Sequence, residues 1–306
     1  MTYDLIIVGG GPAGIAAGIY ASRKKIKTLL ITDNFGGQSV IARDIQNFIG
    51  FKSISGFNLS KILEEQLRAQ PNIEIKDQNL VSQIEKKDNG FVVKTDKGEF
   101  FETKTILLAS GSCYRKLNVP GEDKFGGRGI FYCATCDAPL MKNKAVAVVG
   151  GGNSGFESTI DLLPYASKIY LLEYTDVFKA DPATQEKVKK SEKIEIIMMA
   201  EVKEFFGNEF VGGLKYQDRR SGEIKELAVE GVFIAIGYQP NSEIVKGLVE
   251  LDKGGQIIID CKTQKTSLEG IWASGDISNG LYHQNNISIG DSIKAVLNIY
   301  DYLKGK

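Results

Sequence analysis

The feature that most constrains this chain is a glycine loop that occurs twice, each time between an apolar strand and a helix. The first loop is GGGPAG at residues 9–14, after the apolar run YDLIIV. Gly9, Gly11 and Gly14 match the GxGxxG pattern. In that pattern the first glycine permits a tight turn, the second lets the backbone approach a pyrophosphate, and the third lets the helix pack closely on the strand. Three glycines can also merely turn a chain, but the strand–loop–helix context favours nucleotide binding.

The second loop, GGGNSG at residues 150–155, repeats this plan later in the chain. Gly150, Gly152 and Gly155 lie between a predicted strand at 144–149 and a predicted helix at 156–163. Each half then continues through short β-rich runs to an apolar strand closed by glycine, TILLASG in the first half and GVFIAIG in the second. This internal repeat predicts an α/β protein with two nucleotide-binding domains of one type.

The end of the chain, GIWASGDIS at 270–278 and a helical pattern at 289–303, has no counterpart in the second half. We therefore expect it to complete the first domain, with the second domain inserted. The predicted first domain is 1–113 with 242–306, and the second is 114–241. Two chain crossings close together, near 113–118 and 239–241, would make a natural hinge.

Composition excludes several classes of protein. Lys plus Arg is 38 and Asp plus Glu is 38, so the net charge is zero. This argues against nucleic acid as the main partner, because phosphate binding needs a surplus of cations. No run approaches the roughly 18 apolar residues of a membrane span, and the N-terminus lacks a cleavable signal pattern. The expectation is a soluble, cytoplasmic protein that binds no membrane.

The sequence CATCD holds the one close cysteine pair, Cys133 and Cys136. In a reducing compartment such a pair is usually catalytic or metal-binding. Redox chemistry is favoured, because a metal would need two more ligands and the remaining candidates are scattered. Asp137 is adjacent to the second sulfur and could hold the proton that thiol–disulfide exchange needs. The alternative for Asp137 is a helix cap before Pro139.

The remaining cysteines and the single histidine carry no such pattern. Cys113 and Cys261 are expected to be small buried apolar residues rather than reactive thiols. With His283 as the only histidine, any site that needs two is impossible. No metal is therefore expected.

An acidic residue about 20 positions after a glycine loop accepts hydrogen bonds from a ribose hydroxyl in dinucleotide-binding domains. Glu173 ends the second strand of the second half, and Asp33 lies near the end of the corresponding strand in the first half. The alternatives are a solvated strand-end carboxylate for Glu173 and a turn residue for Asp33. Glu173 is the better candidate of the two.

With two dinucleotide loops and CATCD between them, nearly the whole chain resembles the low-molecular-weight thioredoxin reductase family. The resemblance implies two three-layer Rossmann-like domains, a homodimer, and Cys133, Cys136 and Asp137 as the redox centre. It implies that the first domain binds FAD through Gly9, Gly11, Pro12, Ala13, Gly14, Asp33, Gly37, Gln38, Asn47, Ala109, Gly111, Gly275, Asp276 and Gln284. It implies that the second domain binds the nicotinamide nucleotide through Gly150, Gly152, Asn153, Ser154, Gly155 and Glu173.

One departure from the family predicts NADH rather than NADPH. NADPH-using members have His-Arg-Arg, followed four residues on by Arg, where this chain has Glu173, Tyr174, Thr175 and Lys179. Bidentate recognition of a 2′-phosphate is lost, and an acid that repels it stands there instead. The binding free energies of NADH and NADPH should therefore differ by ~1–3 kcal/mol, which is roughly tenfold to a hundredfold in affinity.

The segments LLEY…KAD and YQDRRSGEIKE are most similar to the flavoprotein component of alkyl hydroperoxide reductase. That protein has an N-terminal thioredoxin-like extension, which is expected to be absent here. The resemblance therefore implies that a separate thioredoxin-like or glutaredoxin-like dithiol protein accepts the electrons. Two alternatives remain at this point: a flavin disulfide reductase reduced by ferredoxin, and a flavin-binding redox sensor without turnover.

Overall fold

The computed structural model describes residues 2–42 and 44–305 of the chain. It divides into two compact units, Met1–Cys113 with Gln239–Lys306, and Tyr114–Tyr238. The second boundary lies at 238/239, whereas the sequence pattern places it at 241/242. The segments at the two boundaries form the short strands Ser112–Tyr114 and Tyr238–Pro240, which make a two-stranded sheet.

The bounds of the elements follow in chain order. The strands are β1 (Thr2–Gly10), β2 (Thr28–Phe35), β3 (Ile73–Lys76), β4 (Val81–Lys87), β5 (Gly90–Thr95), β6 (Phe100–Leu108), β7 (Ser112–Tyr114), β8 (Ile130–Phe131), β9 (Ala145–Val149), β10 (Lys168–Glu173), β11 (Ile194–Met198), β12 (Ala200–Gly207), β13 (Val211–Asp218), β14 (Ile224–Ala228), β15 (Gly231–Ile234), β16 (Tyr238–Pro240) and β17 (Ile271–Ala273). The α-helices are α1 (Pro12–Arg23), α2 (Gly56–Arg68), α3 (Glu122–Phe125), α4 (Ala134–Asp137), α5 (Asn153–Leu162), α6 (Pro182–Lys189) and α7 (Asn285–Leu303).

The first unit is built on a sheet in the order β3-β2-β1-β6-β5-β4, with β17 also paired to β6. Strands β3, β2, β1, β6 and β17 are parallel, and β4 and β5 are antiparallel to their neighbours. Residues 5–8 of β1 are all apolar and buried, as expected for a strand that is covered on both faces. Leu5 and Ile7 pack toward α1 and α7, whereas Ile6 and Val8 pack with β4 and β5 on the opposite face.

The second unit repeats this construction. Its parallel sheet has the order β11-β10-β9-β15-β8, and a separate antiparallel sheet has the order β12-β13-β14. Along β9, Val146 and Val148 pack with α5, and Ala147 packs toward β12 and β13. The α/β class and the two Rossmann-like domains predicted from the sequence are confirmed. In both units, the glycine loop follows a strand that is covered on its two faces.

Several short elements were not predicted, among them β3 and α6. Strand β3 has four residues, too few for a pattern of alternation, and α6 is an eight-residue polar helix whose one buried residue is Val188. Helix α2 begins at Gly56 because Ser55 caps it: the Ser55 hydroxyl accepts a hydrogen bond from Asn58 N at 3.3 Å. Within the described ranges, no helix is both long and apolar enough to cross a membrane.

Candidate functional site

The first glycine loop contains glycines of two different kinds. Gly9 has φ +114°, and a side chain there would collide with the carbonyl of Ala109. A side chain on Gly14 would collide with the carbonyl of Gly9. Gly11 differs, because its backbone is extended (φ −73°) and, apart from the adjoining backbone, no atom of the described residues lies within 4 Å of a Cβ built on it. The fold requires the first and third glycines, and the second leaves an open cradle in which a ligand can approach the backbone.

The second loop has the same division. Gly150 (φ +123°) is held against the carbonyl of Ala235, and Gly155 against the carbonyl of Gly150. Gly152 has an extended backbone (φ −87°) and, apart from the adjoining backbone, no atom of the described residues lies within 4 Å of a Cβ built on it. Each loop therefore has the cradle that a dinucleotide pyrophosphate fits.

The helices that follow the loops present their first turns to these cradles. In the described chain neither α1 nor α5 has a capping side chain, so their first N–H groups are free for phosphate oxygens. Pro12 opens α1, where its missing N–H costs nothing. Asn153 and Ser154 open α5 and are both exposed; Asn153 Oδ1 accepts a hydrogen bond from Asp181 N at 2.8 Å.

Segments distant in sequence meet at the first loop. A Cβ built on Gly37 would lie 3.4 Å from Gly11 Cα, and one on Gly275 would lie 3.2 Å from Ala13 Cβ. Ala109 N donates to Val8 O at 2.8 Å. The glycine loop therefore lies together with Gly37, in the segment FGGQ at 35–38, and Gly275, in the segment ASGDI at 273–277. The resemblance assigned residues of all three segments to one cofactor.

Three polar residues belong to the same assignment, and two of them are hydrogen-bonded to each other. Asn47 Nδ2 donates to Gln284 Oε1 at 3.1 Å across 237 positions of sequence. Gln38 Nε2 donates to Ser112 O at 2.6 Å, while its Oε1 is buried without a partner in residues 2–42 and 44–305. A flavin ring carries an N–H donor, so this orphaned acceptor fits the group that the resemblance implies.

The other residues of that assignment are placed less tightly. Asp33 is exposed at the end of β2, where its Oδ2 accepts from Asn34 Nδ2 at 3.0 Å. Gly111 has φ +65° and open space around its Cβ position in the described structure. Asp276 Oδ1 lies 3.6 Å from His283 Nδ1, and burial raises the pKa of this carboxyl, although His283 and Ser288 oppose that rise.

Cys133 and Cys136 form a disulfide in the second unit, with Cα atoms 5.3 Å apart. Cys133 precedes the first residue of α4, and its carbonyl accepts hydrogen bonds from the N–H groups of Cys136 and Asp137. Both cysteines are half-buried, so they are neither sealed in the core nor fully solvated. The other two cysteines contradict the sequence expectation: Cys113 and Cys261 are exposed, because they lie outside the cores of the sheets.

Asp137 is 7% exposed. Burial raises the pKa of its carboxyl from 3.8 to about 7. Asp137 occupies the N-cap position of the 3₁₀ helix Ala138–Met141, as the alternative of a helix cap requires, but its carboxyl makes no capping hydrogen bond there. An acid with a pKa near neutrality, one residue from a disulfide, can give and take a proton at physiological pH.

Glu173 is tied to the second glycine loop. Its Oε2 accepts from Gly151 N at 2.6 Å, and its Oε1 accepts from Thr175 N at 2.8 Å. Thr175 Oγ1 lies 2.7 Å from the same Oε1. Glu173 is therefore not a freely solvated carboxylate at the strand end. A carboxylate oxygen has two lone-pair sites, so Oε2 keeps one for a ribose hydroxyl.

Sequence reasoning missed a buried network beside the disulfide. Glu122 is 2% exposed and accepts from Asn118 N at 2.7 Å, Leu117 N at 3.2 Å and Tyr132 Oη at 2.7 Å. Tyr132 directly precedes Cys133, and burial together with Glu122 raises the pKa of its phenol. Glu122 occurs in the polar segment PGEDK, which gives no sign of burial.

Comparison with known proteins identifies the family. The sequence matches the pyridine nucleotide-disulphide oxidoreductases over residues 3–291. The chain belongs to this family. A solved thioredoxin reductase from Streptococcus pyogenes is 34% identical and superposes with a TM-score of 0.93, over 100% of this chain and 99% of that one. A thioredoxin reductase from Giardia duodenalis gives 30% identity and a TM-score of 0.92, over 99% of each chain.

Curated relatives include a component of the alkyl hydroperoxide reductase of Pseudomonas putida, 41% identical over 304 residues. Another is a protein named NADH dehydrogenase from Bacillus subtilis, 39% identical over 301 residues. Each match covers 98% of this chain and 58% of the relative. This oxidoreductase is thus thioredoxin reductase-like, as its sequence predicts, and the family implies a flavin and a nicotinamide cofactor. The chain therefore spans less than two thirds of the length of these curated relatives.

Proposed function

We propose that this oxidoreductase uses NADH to reduce, through FAD and the Cys133–Cys136 disulfide, a thioredoxin-like or glutaredoxin-like dithiol protein. The observation that carries the proposal is the disulfide beside an acid with a pKa of about 7. Both lie in the unit that holds the second glycine loop. A domain that only bound nucleotide would have no use for a protonatable carboxyl at that position.

FAD, when bound, supplies the two-electron chemistry that links a hydride donor to a disulfide. The first unit would hold it at the Gly11 cradle, with Gln38, Asn47 and Gln284 as polar contacts. The second unit would hold NADH at the Gly152 cradle. These assignments rest on open backbone at the two cradles and on the orphaned Gln38 Oε1.

The protein residues manage the proton. Reduction of a disulfide consumes two electrons and two protons, and NADH delivers two electrons with one of those protons. Asp137 in its protonated form would give the other proton to the thiolate that leaves as the S–S bond breaks. When the dithiol reduces the partner's disulfide, the same carboxylate would take one proton back. The partner's two thiols would then receive the proton of the other cysteine and one proton from solvent, so each turnover consumes one solvent proton.

Preference for NADH follows from Glu173. Its charge is held at the loop by Gly151 N, where it accepts a hydrogen bond from a 2′-hydroxyl and repels a 2′-phosphate. The name of the Bacillus subtilis relative, NADH dehydrogenase, supports NADH as the donor. Lys179 is the remaining cation of the family's phosphate pattern.

The partner is inferred from the relatives. A dithiol protein of thioredoxin type suits the thioredoxin reductase-like fold, and the alkyl hydroperoxide reductase relatives point to a peroxide-reducing system as the final acceptor. The homodimer and the cytoplasmic location stay predictions.

The test is anaerobic mixing of the oxidised, FAD-loaded protein with NADH and, separately, with NADPH, followed by flavin absorbance. Fast bleaching with NADH and slow bleaching with NADPH is the expected result. Equal rates would overturn the NADH preference and leave the enzyme class. No bleaching with either nucleotide would overturn the nicotinamide donor, and reduced ferredoxin would then be tested. A protein that is inert to every donor would instead be a redox sensor.

A further inference from the structure

A stacked pair of side chains, Tyr174 and Arg219, lies directly beyond the ribose acid. Tyr174 follows Glu173 and is 50% exposed. The Arg219 guanidinium lies 3.9 Å from the centroid of the Tyr174 ring, and its Nη1 donates to Tyr174 O at 3.0 Å. Arg219 N donates to Met199 O at 2.8 Å. An exposed arginine is normally free in solvent, so these contacts hold a flat aromatic and cationic surface ready at this position.

The charge of Arg219 has no acidic partner among the described residues. In the chain that the structure describes, no carboxylate lies within 4.0 Å of this guanidinium. The neighbouring Asp218 is instead 3.1 Å from Lys225 Nζ. The guanidinium therefore holds the Tyr174 ring in place through the stack and the hydrogen bond, and its positive charge is left for a ligand at the surface.

The covalent structure of a dinucleotide relates this pair to Glu173. A carboxylate that binds the 2′-hydroxyl marks C2′ of the adenosine ribose, and the adenine base is bonded to the adjacent carbon, C1′. The base must therefore lie within a side-chain length of Glu173. Tyr174 is the next residue along the chain and is turned to solvent, whereas the Glu173 carboxylate is tied to Gly151 N.

We propose that Tyr174 and Arg219 form the adenine platform of the second unit. The base stacks on the pair through its π face, which needs no hydrogen bond and no 2′-phosphate. This inference rests on the proposed function, in which this unit binds NADH. It adds two specificity-determining residues, one of them from a β-hairpin remote from the glycine loop. In this arrangement Arg219 recognises the base and is not a substitute for the missing 2′-phosphate clamp.

The experiment is calorimetric titration of the oxidised holoenzyme with three probes. ADP-ribose carries adenine without nicotinamide, 2′-phospho-ADP-ribose adds the phosphate, and nicotinamide mononucleotide has no adenine. The variants are Tyr174→Ala, the conservative Tyr174→Phe, Arg219→Met and, as a matched control, Arg220→Met at the next exposed arginine.

Tyr174→Ala should weaken ADP-ribose binding about tenfold, as loss of one aromatic stack does. Tyr174→Phe keeps the aromatic ring and should bind ADP-ribose as the unaltered protein does. Arg219→Met should weaken both adenine probes by the same factor. Nicotinamide mononucleotide, and every probe with Arg220→Met, should be unaffected.

Three results would overturn the platform. Unchanged ADP-ribose binding in Tyr174→Ala would show that adenine does not stack on Tyr174, and it would leave the proposed function intact. A loss in Arg219→Met confined to 2′-phospho-ADP-ribose would make Arg219 a phosphate clamp. Failure of the unaltered protein to bind ADP-ribose, together with no bleaching by NADH, would overturn the proposed function as well.

Discussion

Replacing Asp137 by Asn should stabilise the protein at high pH and slow its chemistry. The folded carboxyl has a pKa of about 7 against a usual value of 3.8. Its folded pKa is raised, so between about pH 4 and pH 7 the folded state binds a proton that the unfolded state has lost. Stability from this group is therefore fully present below about pH 4 and declines as pH rises to about 7. The free energy of unfolding should fall by at most about 4 kcal/mol over this pH range because of this group.

Asn has the volume of Asp without the charge, so it removes this pH-dependent cost. The calorimetric Tm of Asp137→Asn should match the unaltered protein near about pH 4 and exceed it by several degrees near about pH 8. Asp88→Asn, in the exposed turn between β4 and β5, is the matched control and should show no such difference. A Tm difference that does not change with pH, or a variant less stable at high pH, would refute burial as the cause.

The same variant should lose catalysis. A positioned acid–base group contributes about a hundredfold or more, so thiol formation on a small disulfide acceptor should slow by that factor. In the unaltered protein the acid-dependent rate should fall as pH rises through about 7, and the variant should lack this dependence. A variant that is both stabilised and fully active would leave Asp137 as a buried acid with no part in the reaction.

Three further outcomes are expected. Glu173→Gln keeps an acceptor for Gly151 N without the charge, so the ratio of kcat/KM for NADH over NADPH should fall roughly tenfold; an unchanged ratio would contradict the specificity argument. Gly11→Ala should fold normally and bind FAD poorly, whereas Gly14→Ala should lower Tm, because only the latter collides with backbone; equal Tm values would contradict this. Cys133→Ser should abolish disulfide reduction and spare NADH-dependent reduction of an artificial acceptor, and survival of disulfide reduction would remove the cysteine pair from the pathway.

The sequence predicted those parts of the fold that local chemistry determines. The long apolar strands and the helices after the glycine loops were predicted because each has its pattern within a few residues. The hydrogen bond between Asn47 and Gln284 joins positions 237 residues apart, and only the resemblance related them. The burial of Asp137 and Glu122 could not be predicted, since both occur in polar surroundings in the sequence and only tertiary packing excludes water from them. The exposure of Cys113 and Cys261 was mispredicted because the expectation of burial rested on residue type alone. Cysteine is usually buried, but its residue type does not show where a particular cysteine lies in the fold.

The glycine loops show most clearly what a motif leaves undecided. In GxGxxG all three glycines look equivalent, yet the fold requires only the first and third, which touch backbone carbonyls in both units. Gly11 and Gly152 have extended backbone and open space in the described chain, so neither packing nor conformation calls for glycine there. Glycine at these two positions is therefore best explained by a ligand that approaches the backbone there. A similar contrast separates Asp137 from the buried Glu122. Glu122 accepts three hydrogen bonds, which give its burial a structural reason. Burial of Asp137 raises its pKa and lowers stability above about pH 4, and this cost supports the proposal that Asp137 transfers a proton.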